Sequence, residues 1–336
     1  MRVSPGNGSG SEPDPVEILD VEFQPLDVNE VRPFQFRRPR QKFPWVPLLL
    51  LFVTFATTTA IGVEYATSFA ANVEAFSGDD TLSAMMTRPI LHPRLLVLGL
   101  PFSLTLLAIL MAHELGHFFA CKYYGIDVSY PYFIPGPPFF GTFGAFLRIR
   151  SPITTRRALF DIGIAGPIAG FALAVPIVAY AIAISKVVPA APVDASLLFG
   201  TPLLMRGLIG MFHPGADAAS VLLHPMARAA WVGFLATALN LIPAWQLDGG
   251  HIVYSLVPQK HQRISLGVGL ALVGLGVYFW RGWILWGFVM VVLSLRFKHP
   301  PVYDPWETLN ASRKLLAVGA LAMFVLCFML WPAIAQ

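Results

Sequence analysis

Two histidines four positions apart, with a glutamate beside the first, are the residues of this chain best suited to chemistry: His113-Glu114-Leu115-Gly116-His117. Side chains at positions i and i+4 lie on one face of an α-helix, so both imidazoles can bind one metal ion. Glu114 lies about 100° around the helix, where its carboxylate can act on metal-bound water. The spacing therefore predicts a metal site on a helix, with a general base next to it.

A third ligand is needed, because catalytic zinc sites usually have three protein ligands and leave the fourth position to water. The candidates are Asp161 and Asp248, which lie next to apolar segments. We prefer Asp248, because Pro243 and the pair Gly249-Gly250 break the helix and let the backbone turn the carboxylate inward. The alternatives are an aspartate at a helix end and, for the histidines, a polar contact between helices without a metal.

The composition indicates what kind of molecule holds these residues. Of 336 residues, 56% are hydrophobic and only 12% are charged, whereas soluble domains have about 25% charged residues. Thirteen of the 42 Asp, Glu, Lys and Arg residues fall within positions 1–42. The remainder has too few charges to cover a soluble surface. This composition predicts a polytopic membrane protein and excludes a free cytosolic enzyme, a disordered chain and a disulfide scaffold.

Uncharged runs locate the membrane spans, because a span needs about 20 apolar residues. The runs are 43–63, 162–185, 229–247, 264–280, 282–295 and 315–336, and a further run lies between the charged residues Arg94 and Lys122, interrupted only by Glu114. We therefore predict about six to seven transmembrane helices, with two short helices rather than one long helix in 264–295. Ionisable residues at membrane depth are costly, which favours a functional role for the histidine motif.

The segment 126–147 is apolar and aromatic, but its prolines and glycines exclude a long helix. Irregular backbone at membrane depth is tolerated only where it is buried in protein or lines a wet cavity. We predict a membrane re-entrant loop with short strands, and the alternative is a surface loop. The predicted fold class is an all-α polytopic membrane protein that contains this loop.

The chain contains two motifs in a fixed order. The first is His113 to His117, and the second is Asn240-Leu-Ile-Pro-Ala-Trp-Gln-Leu-Asp248-Gly-Gly-His251. Together they resemble the site-2 protease family of intramembrane zinc metalloproteases, peptidase family M50. The stretches from Gly141 and from Arg156 resemble the family as well, and most of all its bacterial and chloroplast branch. The resemblance covers about residues 95–260. The loop 186–228 is too short for a PDZ module, so we expect the branch without one.

The resemblance implies that the fold has a site-2-protease-like core and that His113, His117 and Asp248 bind Zn²⁺, one ion per chain. It implies that Glu114 is the general base and then the proton donor of peptide hydrolysis.

The resemblance also implies roles beside the metal. Asn240 helps to hold the substrate or its oxyanion, and His251 assists from beside the metal ligands. An extended substrate pairs by strand addition with a segment near the site, for which the implied residues are Gly141, Phe143 and Gly144. Trp245 departs from the family pattern, because a small residue is expected there, and this puts the shape of the substrate groove in doubt.

The function implied is hydrolysis of peptide bonds in or near the transmembrane segments of membrane-anchored proteins. The expected partners are such a substrate and the lipid bilayer, with no nucleic acid, and the expected location is the bacterial cytoplasmic (inner) membrane. The alternatives are a membrane ion transporter and a protease-like scaffold that does not cleave. A transporter needs no glutamate between paired histidines, and a scaffold is favoured by loss of Glu114 or a ligand, none of which is missing.

Basic residues in short loops predict the topology, because they stay cytoplasmic. A basic stretch from Arg37 to Lys42 precedes the first span, and this predicts a cytoplasmic N-terminus. The predicted domains are a disordered cytoplasmic tail (1–42), the first transmembrane helix with an external loop (43–94), the metalloprotease core (95–263) and C-terminal transmembrane helices (264–336).

Overall fold

The computed structural model describes residues 43–76, 91–136, 139–188, 197–304 and 307–335, and the predicted tail 1–42 lies outside these residues. From Pro44 onward the chain forms one unit. The described ranges contain nine α-helices: α1 Trp45–Ala71, α2 Leu96–Tyr123, α3 Arg156–Ala183, α4 Leu203–Phe212, α5 Pro225–Asn240, α6 Asp248–Leu256, α7 His261–Tyr278, α8 Gly282–Arg296 and α9 Ala311–Cys327.

Three helices, α1, α2 and α3, are long and apolar enough to cross a membrane, and α4 and α8 are shorter apolar helices. This confirms the predicted class of a polytopic helical membrane protein, while the count of six to seven spans stays a prediction. The two short helices predicted in 264–295 are confirmed as α7 and α8. These two helices pack closely, because a Cβ added to Gly287 would lie 2.5 Å from the carbonyl oxygen of Gly269.

Glycines let the long helices approach each other closely. This is common in membrane proteins, because lipid is as apolar as the side chains and close packing rather than the hydrophobic effect drives helix association. Between α1 and α2, a Cβ added to Gly99 would lie 2.1 Å from the carbonyl oxygen of Thr59. Between α2 and α3, a Cβ added to Gly116 would lie 2.4 Å from the carbonyl oxygen of Ala165. Since Gly116 belongs to the histidine motif, this second contact brings the motif against the backbone of α3.

Short strands form in the segment 126–147, as predicted. The strands β1 (Tyr132–Pro135) and β2 (Thr142–Phe146) pair antiparallel. The hairpin is attached to α1, because the Thr57 hydroxyl donates a hydrogen bond of 2.7 Å to the carbonyl of Gly141 and the Tyr65 hydroxyl donates one of 3.1 Å to that of Phe139. Re-entry of this hairpin into the bilayer stays a prediction.

Two further pairs of strands were not predicted. The strand β3 (Lys186–Val187) pairs antiparallel with β5 (Val221–Leu222). The strand β4 (Leu197–Phe199) pairs antiparallel with β6 (Ala333–Ala335).

The predicted limits of the first and last apolar segments are wrong. Helix α1 continues to Ala71, so Glu64 lies inside the helix, where it is buried and accepts a hydrogen bond from the Ser68 hydroxyl. Helix α9 ends at Cys327, well before the end of the run 315–336. Pro332 disfavours helical backbone at the residue before it, and the chain beyond it forms β6.

The predicted bounds 229–247 are also wrong, because α5 runs from Pro225 to Asn240 and a non-helical turn follows it. Pro243 lies in this turn, in agreement with the predicted break. The glycine pair lies within α6 and does not break a helix. A Cβ added to Gly249 would lie 2.2 Å from the carbonyl oxygen of Leu241, so this glycine lets α6 pack directly on the turn and brings Asp248 back toward α2.

Candidate metal centre

The side chains of His113, His117 and Asp248 converge on one point, although Asp248 is far from the histidines in sequence. The two Nε2 atoms of the histidines are 3.1 Å apart. The Oδ2 atom of Asp248 lies 3.1 Å from Nε2 of His113 and 3.4 Å from Nε2 of His117. The described residues thus contain a buried cluster of three groups, each able to offer one ligand atom to a metal ion.

The hydrogen bonds around the cluster show what kind of ligand fits it. Nδ1 of His117 lies 2.7 Å from the carbonyl oxygen of Ile162, which can only accept, so this nitrogen carries the proton. In the neutral ring, Nε2 of His117 then has no proton, and its lone pair faces Nε2 of His113 and the carboxylate of Asp248. A divalent cation can be bound at once by this nitrogen, by Nε2 of His113 and by the carboxylate of Asp248, and two imidazoles with one carboxylate are a ligand set that zinc prefers.

Helix α3 forms the wall behind the imidazoles. A Cβ added to Gly166 would lie 2.1 Å from Nε2 of His117, and one added to Gly170 would lie 3.1 Å from Cβ of His113. From the sequence, these glycines are explained by helix packing alone. The structure gives Gly166 a more specific role, because any side chain at this position would displace a predicted metal ligand.

A cavity of about 210 Å³ opens onto the cluster. Glu114 is buried and lines this cavity together with the predicted ligands. Asn240, the last residue of α5, also lines it, and its side-chain amide lies 3.3 Å from Nε2 of His113. The structure therefore brings the predicted base and the predicted substrate-binding amide to the same space as the three candidate ligands.

His251 lines the cavity as well, but it is outside the cluster of three candidate ligands. Its Nδ1 lies 2.8 Å from Nε2 of His299, which belongs to the segment after α8. His299 could not be identified from the sequence, because no nearby motif indicates a contact with a histidine 48 positions earlier.

The residues predicted for the substrate strand lie in or beside the hairpin, and their role stays a prediction. Gly141 lies in the hairpin turn against α1, and Phe143 is 74% exposed. Gly144, with φ +102°, has open space where a Cβ would be. None of these three residues lines the cavity, which is instead bordered by Ala145 and Phe146 at the end of β2. Among the described strands, β2 pairs only with β1, so its second edge has no strand partner.

Asp161, the other candidate for the third ligand, takes part in an ion pair. The Arg313 guanidinium donates hydrogen bonds of 2.8 Å and 2.6 Å to the two carboxylate oxygens of Asp161. The Tyr124 hydroxyl donates a third, short hydrogen bond to the same carboxylate. The structure therefore brings Asp248, and not Asp161, to the histidine pair.

The sequence pattern of peptidase family M50 matches residues 101–276, which include all three candidate ligands and Glu114. The chain belongs to peptidase family M50. This confirms the resemblance to the site-2 proteases, and it makes the chain a member of a family of membrane-associated zinc metalloproteases.

This M50 member is similar to the "Probable zinc metalloprotease EGY1, chloroplastic" of Arabidopsis thaliana, with 30% identity over 71% of this chain and 44% of the relative. The rice protein of the same name is 30% identical over 71% of this chain and 42% of the relative. The "Probable zinc metalloprotease EGY2, chloroplastic" of Arabidopsis thaliana is 32% identical over 77% of this chain and 45% of the relative. The chain thus spans less than half the length of these relatives. No solved structure matches it significantly.

Proposed function

We propose that this protein is an intramembrane zinc metalloprotease that hydrolyses peptide bonds in or near the transmembrane segments of membrane-anchored proteins. The observation that carries the proposal is the convergence of His113, His117 and Asp248 beside Glu114 on one cavity. In this proposal the three residues hold one Zn²⁺. When bound, the ion supplies Lewis acidity that polarises a peptide carbonyl and makes water more acidic.

Glu114 is the proton carrier of the proposed reaction. Its carboxylate takes a proton from a water molecule in the cavity, and the oxygen of that water forms a bond with the carbonyl carbon of the substrate. The carbon–nitrogen bond then breaks, and Glu114 delivers the proton to the nitrogen of the leaving amine. One water molecule is consumed, and a carboxylic acid and an amine are released.

The proposed substrate must be extended where it is cut, because the peptide bond of a helix is shielded and hydrogen-bonded. The unpartnered edge of β2 supports binding by strand addition, since its last residues border the cavity. We infer that Ala145 and Phe146 are closer to the bound substrate than Gly141, Phe143 and Gly144. The amide of Asn240 can hold the substrate carbonyl, and His251, which also lines the cavity, can contact the substrate.

The bilayer is part of this proposal, because the histidine motif lies in α2, one of the three helices suited to cross a membrane. The bacterial cytoplasmic membrane remains the prediction from the sequence, and the chloroplastic relatives do not test it. The membrane-anchored substrate is equally a proposal.

The test uses the full chain in proteoliposomes with a single-span model protein as the substrate, and compares wild type with Glu114→Gln. Loss of a general acid–base typically lowers the rate about 10²- to 10⁴-fold, and the amide keeps the size of the side chain. We expect wild type to cleave and Glu114→Gln to retain zinc but not to cleave. Mass spectrometry of the products locates the cleaved bond.

Three results would contradict the proposal in different ways. Equal cleavage by Glu114→Gln and wild type would remove the glutamate from the mechanism. Cleavage confined to soluble parts of the substrate would contradict the intramembrane site. Zinc bound to wild type without cleavage of a panel of single-span proteins would favour the non-cleaving scaffold.

A further inference from the structure

A chain of three groups runs from the metal cavity to the segment after α8: His251, His299 and the backbone carbonyl of Pro300. Nδ1 of His251 lies 2.8 Å from Nε2 of His299, and Nδ1 of His299 lies 2.7 Å from the carbonyl oxygen of Pro300. The ring of His299 also stacks on Tyr254, with ring centroids 3.9 Å apart. The ring is therefore fixed both by its hydrogen bonds and by its flat face.

The direction of these hydrogen bonds follows from the last group in the chain, the carbonyl of Pro300. A carbonyl oxygen can only accept, so Nδ1 of His299 carries a proton. Burial lowers the pKa of His299 to about 3, so its ring is neutral near pH 7 and its Nε2 has a lone pair. Nδ1 of His251 must then be the donor to this lone pair. In a neutral His251 ring, the nitrogen left without a proton is Nε2.

Nε2 of His251 has no hydrogen-bond partner among the described residues, and His251 lines the metal cavity. We propose that His299 is a positioning residue that holds His251 in its Nδ1–H tautomer and thereby presents Nε2 of His251 to the cavity as a hydrogen-bond acceptor. The ligand of this acceptor is an N–H or O–H donor, which is either a backbone N–H of the substrate or water in the cavity.

The proposal deepens the proposed function, but its main test does not depend on cleavage. Nitrogen-15 spectra of histidine-labelled full-length protein in detergent at pH 7.5 report which ring nitrogen carries the proton, with His251 assigned by comparison with His251→Asn. We expect the Nδ1–H tautomer of His251 in wild type. In His299→Phe, which keeps a ring beside Tyr254 but lacks the acceptor, the tautomer ratio should shift at least about fivefold toward Nε2–H, as expected for one lost hydrogen bond.

Two further variants separate positioning from a general disturbance. In His299→Gln, the side-chain oxygen can replace Nε2 as the acceptor, so we expect the Nδ1–H tautomer of His251 to be restored. His261 is the matched control, because its ring contacts that of His299 with centroids 5.2 Å apart but makes no hydrogen bond to His251. The His261→Gln variant should leave the tautomer of His251 unchanged.

Binding of a single-span peptide to the Glu114→Gln protein distinguishes the two donors. Weaker binding when His299→Phe is added identifies a substrate N–H, and unchanged binding identifies water. The proposal is overturned if wild-type His251 carries its proton on Nε2, or if His299→Phe leaves the Nδ1–H tautomer in place. A chain that cleaves nothing but shows these tautomers would contradict the proposed function and keep this inference.

Discussion

Two aspartates, Asp161 in α3 and Asp248 at the start of α6, differ in the groups that face the carboxylate. Asp161 receives hydrogen bonds from the Arg313 guanidinium and the Tyr124 hydroxyl, so its charge is balanced and its oxygens face donors. Asp248 faces Nε2 of His113 and of His117. In the neutral ring of His117, Nε2 has a lone pair, because Nδ1 carries the proton and donates it to the carbonyl oxygen of Ile162.

An ion pair and a metal site can be told apart in these two regions without a bound ion. Both regions contain a largely buried acid near polar side chains, so burial and charge do not separate them. The partners of the carboxylates do separate them, because the Asp161 carboxylate faces a guanidinium and a hydroxyl, which only donate to it, whereas the Asp248 carboxylate faces two imidazole nitrogens that can bind a cation together with it.

Zinc should affect the two regions very differently, and this is the largest expected effect. Binding to the folded state alone raises the free energy of unfolding by about 4 kcal/mol at a free ligand concentration 1,000 times Kd. We expect this increase in wild type and in Asp161→Asn, but not in Asp248→Ala. Thermal unfolding in detergent, with EDTA and then with zinc, measures it. An increase kept by Asp248→Ala and lost by Asp161→Asn would reverse the assignment of the two regions.

Removing the guanidinium tests the Asp161 region. The Arg313→Leu variant leaves a largely buried carboxylate without its cation, which should lower the free energy of unfolding by about 2–3 kcal/mol. Adding Asp161→Asn should recover part of this loss, because the unpaired charge is removed. Denaturant unfolding of the single and double variants in detergent measures the coupling. Additive losses would show that the two side chains do not interact in the folded protein.

The wall of the metal site is tested at Gly166, where a Cβ would lie 2.1 Å from Nε2 of His117. Disturbing the orientation of a ligand typically weakens metal binding about 10- to 100-fold, and we expect this for Gly166→Ala. The matched control is Gly274→Ala in α7, where a Cβ meets nothing within 4 Å. Zinc titration against a competing chelator compares the affinities. Equal affinities of the two variants would mean that α3 does not shape the site.

The smallest expected effect is the pH dependence of folding stability that arises from His299. Burial lowers the pKa of His299 to about 3, below its unfolded value of about 6.5. The folded protein therefore takes up this proton less readily, so stability is full above about pH 6.5 and is lost as the pH falls toward 3. We expect a weaker loss between pH 6.5 and 5 in His299→Gln, measured by the unfolding temperature. An identical slope in the two proteins would contradict the buried, neutral ring.

The sequence predicted the parts of the site that local spacing determines. His113 and His117 share a helix face, and Glu114 follows from the same spacing. Asp248 required a second motif, because no periodicity links two segments separated by 135 positions. The break at Pro243 was predictable from the chemistry of proline, but the packing of Gly249 on the turn was not, since a single sequence does not record which backbone lies nearby.

The features that the sequence did not predict depend on contacts between distant segments. The pairing of His251 with His299 joins α6 to the segment after α8, and the pairing of Asp161 with Arg313 joins α3 to α9. The position of the cavity relative to β2 depends on how the hairpin is attached to α1. Spacing along the chain carries no information about such contacts, so the exposure of Phe143 and its distance from the cavity could not be predicted.

The central claim is that His113, His117 and Asp248 form a metal site and that Asp161 does not contribute to it. The most direct test measures zinc per chain by mass spectrometry in purified wild type, Asp248→Asn and Asp161→Asn, after equal exposure to zinc and removal of the excess. We predict one zinc ion per chain in wild type and in Asp161→Asn, and none in Asp248→Asn, because only the last variant removes the carboxylate from the cluster. Wild type without zinc, or Asp248→Asn with a full zinc ion per chain, would contradict the claim.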